Sequence, residues 1–334
     1  MYDYDEQIIN TAWCNTLNNR LKLRNMVEVT VRELTNRVSL VGTYYGDVEL
    51  NMVYVKDSGV LLDTSTSSII EDVVKVIGLP KMAIITHPHE DHAGGSGYLA
   101  SRGVRVIAHE VARGLLYNNV INVDSFFPLK YRSCFNPEFT ESFIRDFRSK
   151  VGSPVIHESF RGMLNLSGIR CIEAFGHTSG TIVCIADDVM FTSDAVQGSG
   201  LRGMSTTDSI PQVSSIDDYL QTLNTLKSIK VKMLVPGHNF LPFAKRVLEG
   251  NEVEGFINAS IEAVNKLLGI AKVLLSERPL TICEFADNLI HEYGVKRALY
   301  PQALITANAI IEYYRRRRLL KVIKEGDAEL YSIK

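Results

Sequence analysis

The sequence predicts an α/β fold in which two β-sheets are sandwiched between helices, with a helical region after them. Short β-type runs alternate with helical patterns through two successive halves of the chain, up to about residue 250. After residue 250 the β-type alternation stops and three helical patterns follow. A chain of 334 residues is long enough for two domains. We therefore predict one domain at 1–250 and a second at 251–334.

Elements of the first half are predicted from apolar spacing and turn residues. Apolar residues at helical spacing predict a helix within residues 1–25, laid on the main domain. A second helix is predicted at 68–77, and Asp57-Ser58-Gly59 marks a hairpin turn between two strands. The predicted strands are 26–31, 38–44, 48–55, 60–63, 81–86 and 103–108.

The next part of the chain contains an insertion and a second set of strands. Residues 110–160 are aromatic-rich, with a helical pattern near 138–150 and no catalytic spacing, and we interpret them as an insertion that partly covers a site. Ser215 is predicted to cap a helix at 216–229, because an acidic residue stands three positions after it. Strands are predicted at 168–174, 181–185, 189–192 and 232–235.

The C-terminal region combines helices with a hairpin. Helical patterns cover 253–275, 282–292 and 302–318, and strands at 319–323 and 330–333 flank a glycine turn. This order resembles a winged-helix module, a variant of the helix-turn-helix. The basic run Arg315–Arg318 could contact phosphates. Arginines also stabilise the end of a helix through its dipole, and we favour this second interpretation.

Composition is typical of a globular protein, with 46% apolar and 22% charged residues. The net charge of −2 gives no global attraction to nucleic acid or to an anionic membrane. We find no early secretory signal and no apolar stretch of the roughly 18–20 residues that span a bilayer. Five cysteines, an odd number without CxxC spacing, predict reduced thiols and a cytoplasmic location.

The most informative segment follows the strand predicted at 81–86, and it contains four side chains that can bind a metal. His87 and His89 are two residues apart, so their side chains can point the same way. Asp91 continues this period, and His92 follows it at once. Four metal-binding side chains within residues 87–92 predict a metal site.

Three further candidates each follow an apolar strand. His177, Asp194 and His238 lie in loops rich in glycine, serine or proline, where a rigid sheet presents functional groups. Five of the eight histidines of the chain fall in these candidate sites. Imidazole and carboxylate ligands together suit zinc, and also iron or manganese.

This set of residues resembles the metal-binding signature of the metallo-β-lactamase superfamily, over roughly residues 26–250. The resemblance implies an αββα sandwich with the site at one edge of the two sheets. It implies one metal held by His87, His89 and His177. It implies a second metal held by Asp91, His92 and His238, with Asp194 bridging the two. Asp63 matches a family position that supports the site without binding metal, with a turn or helix cap as its alternative role.

Three residues separate this chain from parts of that family. Glu90 stands where a small residue is usual, and Ser193 precedes Asp194 where glycine is common, but neither change removes a ligand. Asp194 replaces the cysteine of several antibiotic-hydrolysing members. The resemblance therefore favours the glyoxalase II-like and nuclease-like branches over a β-lactam substrate.

The predicted function is a metal-dependent hydrolase with two zinc ions per chain, acting on a small ester or thioester. Our hypothesis is that a hydroxide shared by two metals about 3.5–4 Å apart attacks the substrate, with Asp91 and Asp194 as catalytic residues and Asp63 in support. An endoribonuclease or phosphodiesterase is the main alternative, and a persulfide dioxygenase with a single iron is a minor one. The C-terminal region could bind RNA, cover the active site or form a homo-oligomer. We expect no membrane partner.

Overall fold

The first sheet of the computed structural model has seven strands in the order β1 to β7. Strands β1 to β4 are antiparallel, whereas β4 to β7 run parallel. The strands are β1 Thr30–Glu33, β2 Val38–Tyr45, β3 Val48–Val55, β4 Val60–Leu62, β5 Met82–Ile85, β6 Arg105–His109 and β7 Glu158–Phe160. The structure describes residues 28–117, 133–203, 208–295, 300–326 and 328–334, so the helix predicted within 1–25 lies outside the described residues.

Among the described residues, five helices accompany this sheet. They are α1 Ile70–Ile77, α2 Glu90–Ala93, α3 Ser96–Ala100, α4 Glu110–Tyr117 and α5 Pro137–Val151. The sequence predicted α1 and α5 but missed α4 and β7, because it treated 110–160 as an insertion. Helix α5 begins at Asn136, whose side chain accepts a hydrogen bond from the Glu138 amide, and it packs on α2.

The second sheet has six strands in the order β15-β14-β11-β10-β9-β8. Its strands are β8 Leu164–Leu166, β9 Ile169–Glu173, β10 Ile182–Ala186, β11 Val189–Ser193, β14 Met233–Pro236 and β15 Leu248–Glu249. A short pair, β12 Leu201–Arg202 and β13 Asp208–Ser209, stands apart from it. Helix α6, Ile216–Lys227, is capped as predicted, since the Ser215 side chain accepts a hydrogen bond from the Asp218 amide.

The two sheets face each other across an apolar layer. Val53 and Ile84 from the first sheet belong to one buried cluster with Phe191 and Val235 from the second. Side chains on the inner faces alternate with outward-facing ones along each strand, so one face of each sheet is removed from water. This confirms the predicted α/β sandwich, and it brings the ends of β5, β11 and β14 close together.

The C-terminal region shares a core with the second sheet and α6. Its helices are α7 Asn251–Glu277, α8 Ile282–Tyr293 and α9 Tyr300–Arg316, and its strands are β16 Leu280–Thr281, β17 Leu320–Glu325 and β18 Ala328–Ile333. Tyr219 and Leu223 of α6 pack in one buried cluster with Phe256, Phe285 and Ile310 of the three C-terminal helices. The domain boundary near 250 stays a prediction. No helix in the described ranges is both long and apolar enough to cross a membrane.

The prediction of reduced thiols is wrong for four of the five cysteines. Cys134 is disulfide-bonded to Cys283, and Cys171 to Cys184. Cys171 and Cys184 are directly opposite each other on β9 and β10, which brings their Cβ atoms within bonding reach. Cys134 and Cys283 meet only through the tertiary fold, across 149 residues of sequence. Sequence spacing indicated neither pair. The cysteines therefore no longer support the predicted cytoplasmic location.

Candidate metal centre

The seven predicted ligand side chains converge at one edge of the two sheets. His87 and His89 follow β5 of the first sheet, whereas Asp194 and His238 follow β11 and β14 of the second. Strands β11 and β14 are parallel neighbours, so their carboxyl ends lie side by side. His177 comes from the turn between β9 and β10, and all seven side chains are buried.

His87, His89 and His177 form a first group with Asp194. The Nδ1 atom of His89 lies 3.1 Å from Nε2 of His87 and 3.1 Å from Nε2 of His177. Nε2 of His177 lies 3.8 Å from Oδ2 of Asp194. One ligand atom from each of the four side chains lies within 4.8 Å of the others, so a single ion could contact all of them.

Asp91, His92 and His238 form a second group beside the first. Nε2 of His238 lies 3.1 Å from Oδ2 of Asp91 and 3.4 Å from Nε2 of His92. The Asp194 carboxylate lies between the groups, because its Oδ1 is 3.7 Å from Nε2 of His92 and its Oδ2 is 3.7 Å from Nε2 of His238. The structure thus brings together all seven side chains for which the family resemblance implied metal binding.

The imidazoles of His87, His92, His177 and His238 are held from behind by fixed acceptors. Nδ1 of His177 donates to the Gln212 carbonyl at 2.9 Å, and Nδ1 of His238 donates to the Glu49 carbonyl at 2.7 Å. Nδ1 of His92 faces Asp63 and that of His87 faces the Thr86 hydroxyl. An acceptor at Nδ1 fixes the tautomer in which the Nε2 lone pair points into the cluster, as metal ligands require.

Asp63 touches His92 rather than the centre of the cluster. Its Oδ2 accepts from Nδ1 of His92 at 2.8 Å, from the Thr86 hydroxyl at 2.9 Å and from the Ser193 hydroxyl at 2.9 Å. Its Oδ1 accepts from the Thr86 amide at 2.7 Å. Because this fully buried carboxylate already accepts four hydrogen bonds, it is suited to orient an imidazole rather than to bind an ion.

Charge and burial act in opposite directions on the cluster. Burial, together with the neighbouring imidazoles, holds the pKa of His87 and His89 well below the ordinary value. Burial also lowers the pKa of His92, but the charge of Asp91 and of the other carboxylates outweighs it and the net shift is upward. The nitrogens of His87 and His89 that face the cluster are therefore free of protons at neutral pH and able to bind a cation, whereas the carboxylates favour a proton on His92.

A metal fits this set of residues. Oδ1 of Asp194 is buried and accepts no hydrogen bond from the described residues. Leaving a buried carboxylate oxygen unpaired costs free energy, which a bound cation would recover. Nitrogen and oxygen ligands in this ratio suit zinc, iron or manganese. These observations support a metal ion at the site.

Glu90 lies outside the ligand set but next to it. Its Oε1 accepts a hydrogen bond from the Tyr45 hydroxyl at 2.7 Å, under α5. Burial, and then the charge of Asp91, raise the pKa of Glu90 to about 7. The family position that usually carries a small residue is therefore filled here by a buried carboxyl group.

Sequence reasoning missed most of the residues that support the ligands. Gln197 and Gln212 lie behind His177, and Glu49 contributes only a backbone carbonyl to His238. Nothing in the sequence marks them, because their contacts with the ligands arise only from the tertiary fold. Ser193 was noticed as a departure from glycine, and it adopts a left-handed conformation with φ of 46°. Its hydroxyl contacts both Asp63 and His92.

The arginine run of α9 is largely paired within the protein. Arg317 forms two hydrogen bonds with Asp217 at the start of α6, and Arg316 lies 3.9 Å from the same carboxylate. Arg315 pairs with Glu312 one turn earlier on its own helix. These contacts favour the interpretation that the run stabilises the end of the helix.

A cavity of about 430 Å³ lies near the site but is not lined by any of the seven ligand side chains. Its walls come from the segment after Asp194, the segment after His238, and the C-terminal helices. They include Ser199, Arg202, Leu241, Lys266 and Tyr293. The metal cluster and this cavity are thus separate features that share two loops.

Comparison with known families shows the superfamily to which the chain belongs. The family model described as "Metallo-beta-lactamase superfamily" matches residues 49–238, which include all seven ligand side chains and more than half of the chain. The chain belongs to the metallo-β-lactamase superfamily. The match begins within β3 and ends at His238, the last predicted ligand. No curated protein matches the chain.

Solved structures of the superfamily show the same fold. A metallo-beta-lactamase family protein from Thermus thermophilus aligns with a TM-score of 0.67 and 21% identity over 90% of this chain and 100% of its own. A beta-lactamase domain protein from Burkholderia ambifaria aligns with a TM-score of 0.69 and 15% identity over 91% and 94%. DIM-1 metallo-beta-lactamase aligns with a TM-score of 0.52 and 16% identity over 72% and 98%.

The share of the chain that aligns with these structures shows that they also match part of the C-terminal region. Residues 1–250 make up about three-quarters of the chain. An alignment over 90% or 91% of the chain must therefore include some residues beyond position 250. The structures from Thermus thermophilus and Burkholderia ambifaria thus have a counterpart to at least part of the C-terminal region.

Proposed function

We propose that this protein is a metal-dependent hydrolase with two zinc ions per chain, acting on a small ester or thioester. The observation that supports it is the position of Asp194. Its carboxylate lies between two groups of ligand atoms, each of which could hold one ion. When bound, two such ions supply Lewis acidity and lower the pKa of coordinated water toward neutrality.

The residues of the chain would prepare the site for this chemistry. His87, His89 and His177 present three nitrogen atoms to one side of Asp194, and burial keeps the pKa of each below its ordinary value. Asp91 adds negative charge on the other side, which favours binding of a second cation. Asp63 holds His92 in one orientation, so the ligand geometry is set before any ion arrives.

RNA or another phosphodiester is the alternative substrate. The order β16, α8, α9, β17, β18 resembles that of a winged-helix module, and this resemblance supports the alternative. Against it, Arg315 and Arg317 already pair with acidic side chains, so less positive charge is available for phosphates. We therefore rank the small ester or thioester first. A β-lactam ranks lower, because an aspartate stands at position 194.

The experiment is a metal analysis of the purified protein combined with assays on thioesters, carboxylic esters, phosphodiesters and single-stranded RNA. We expect about two zinc ions per chain and hydrolysis of a thioester or ester. Asp91→Asn should remove activity while the protein stays folded. The matched control is His291→Ala, a histidine that is exposed and remote from the seven ligands. Full turnover by a folded Asp91→Asn variant would contradict the proposal, and one iron per chain with oxygen uptake on a persulfide would replace it.

A further inference from the structure

Two glutamines form a buried support behind the first metal group. The carbonyl of Gln212 accepts the hydrogen bond from Nδ1 of His177, and the Gln212 side chain lies 3.5 Å from Nε2 of His89. The Gln197 side chain forms two hydrogen bonds with the backbone of Gln212. It accepts from the Gln212 amide at 2.9 Å and donates to the Gln212 carbonyl at 2.8 Å. The position of Gln212 thus determines where His177 points.

The C-terminal helices fix this support through two buried hydroxyl groups. Thr306 of α9 accepts from the Val213 amide at 3.0 Å and donates to the Pro211 carbonyl at 2.9 Å. One hydroxyl therefore holds the residues on both sides of Gln212. Ser260 of α7 accepts from the Gly198 amide at 2.8 Å, next to Gln197. Thr306 and Ser260 are fully buried.

The contact made by Thr306 is not the ordinary one for a helical threonine. A buried hydroxyl within a helix commonly donates to the carbonyl four residues earlier, as Ser260 also does to Phe256. Thr306 instead donates to a carbonyl 95 residues away in the sequence. The loop that carries Gln197 also lies close to α7, since a Cβ atom added at Gly198 would lie 2.7 Å from the Phe256 ring.

We infer that the C-terminal region positions the metal ligand His177, with Thr306 as the positioning residue that acts through Gln212. The inference rests on the proposed metal site. It gives the helices after residue 250 a role in the catalytic centre that needs no nucleic acid and no second copy of the chain. A change at Thr306 should affect His89 less than His177, because the distance from Gln212 to His89 is longer than that to His177.

The test compares three variants of the full-length protein after removal of bound metal. Thr306→Val keeps the shape of the side chain and removes the hydroxyl, whereas Thr306→Ser keeps the hydroxyl. Thr281→Val is the matched control, because Thr281 caps α8 in the same region and its hydroxyl bonds with Glu284 alone among the described residues. Zinc affinity is measured by competition with a chromophoric chelator, and the visible spectrum of the Co²⁺ form reports the ligand geometry.

We expect Thr306→Val to bind zinc about tenfold more weakly, in the range known for residues that orient a metal ligand. Its Co²⁺ spectrum should change, and Thr306→Ser should behave as wild type. Thr281→Val should lose thermal stability but keep wild-type zinc affinity and spectrum. If Thr306→Val folds poorly, Ser260→Ala applies the same test at Gly198.

Two results would overturn the inference while leaving the proposed function intact. One is wild-type zinc affinity and an unchanged Co²⁺ spectrum in Thr306→Val. The other is an equal loss of affinity in Thr281→Val, which would show a general effect of lower stability. Absence of zinc binding by the wild-type protein would instead overturn the proposed function, and the inference with it.

Discussion

The two sides of the metal cluster are supported by different parts of the molecule. On one side, which we call the His92 side, His92 and His238 are held by Asp63 and by the Glu49 carbonyl. Both supports belong to the first sheet or to the loop that leaves it. On the other, the His177 side, the supports are Gln197 and Gln212, which are held in turn by α7 and α9.

This difference separates what the metallo-β-lactamase sandwich supplies from what the C-terminal region supplies. The His92 side is complete within residues 49–238, the part that matches the family model. The His177 side depends on hydroxyl groups beyond residue 250. We therefore expect changes at Asp63 to act mainly on the His92 side, and changes in the C-terminal helices to act mainly on the His177 side.

The largest effect is expected where both sides meet. A Cβ atom at Gly237 would lie 2.1 Å from Oδ1 of Asp194 and 2.9 Å from Cε1 of His92. Gly237→Ala should therefore displace the shared carboxylate and weaken zinc binding by more than about 100-fold, beyond the usual effect of a supporting residue. Chelator competition measures this. Gly269→Ala on α7, where a Cβ meets nothing within 4 Å, is the control and should leave zinc affinity unchanged.

The next effect should be greatest on the His92 side. Asp63→Asn keeps the size of the side chain and tolerates the left-handed backbone at this position, where φ is 64°. The side-chain nitrogen introduced by this substitution would face groups that themselves donate hydrogen bonds. The hydrogen bond that orients His92 is therefore lost. We expect zinc affinity to fall by about 10–100-fold. Asp57→Asn, an exposed carboxylate paired with Arg37, should have no such effect, and equal losses in both variants would contradict the assignment.

A smaller effect is expected at Ser193, which bonds to Asp63 but has a left-handed backbone. Ser193→Ala removes the hydroxyl and keeps the backbone strain, whereas Ser193→Gly removes both. The glycine variant should be more stable than the alanine variant by about 1 kcal/mol, measured by urea unfolding. Equal stability would show that the backbone at 193 is not strained. Both variants should lose zinc affinity relative to wild type.

The smallest effect concerns the contact between α9 and α6. Hydrogen bonding with Arg317 lowers the pKa of Asp217 in the folded protein. The pair therefore stabilises the fold above the pKa of the unfolded state, and this contribution is lost as the pH falls through the lower folded pKa. Asp217→Asn should cost less than about 1 kcal/mol at pH 7, since the pair is partly exposed. At pH 3 the difference in unfolding free energy between Asp217→Asn and the wild type should be smaller. An unchanged difference would exclude the charge of Asp217 as its source.

The fold and the candidate ligands could be proposed from the sequence because both leave local patterns; the fold is confirmed, and the structure brings the candidate ligands together. Strands such as Val48–Val55 show their alternation directly, and that prediction is confirmed. His87 to His92 are adjacent in the chain, and each remaining ligand follows a recognisable strand. The short strand β7 and helix α4 were missed because 110–160 was interpreted as an insertion, with a helical pattern only near 138–150.

The support of the ligands could not be predicted, because it arises from contacts between distant segments. Gln212 reaches His177 across 35 residues, and Thr306 reaches Val213 across 93. The same is true of the disulfide between Cys134 and Cys283. No spacing rule relates such residues, so only the tertiary structure reveals them.

The most direct test of the central claim is a crystal structure of the zinc-loaded protein with anomalous scattering recorded at the zinc edge. We predict two peaks at the edge of the sheets, one within about 2.0–2.2 Å of nitrogen atoms of His87, His89 and His177, and one within that distance of His92 and His238. Asp194 should contact both ions. A single zinc that leaves His92 and His238 without contact, or peaks elsewhere on the protein, would contradict a shared two-metal centre.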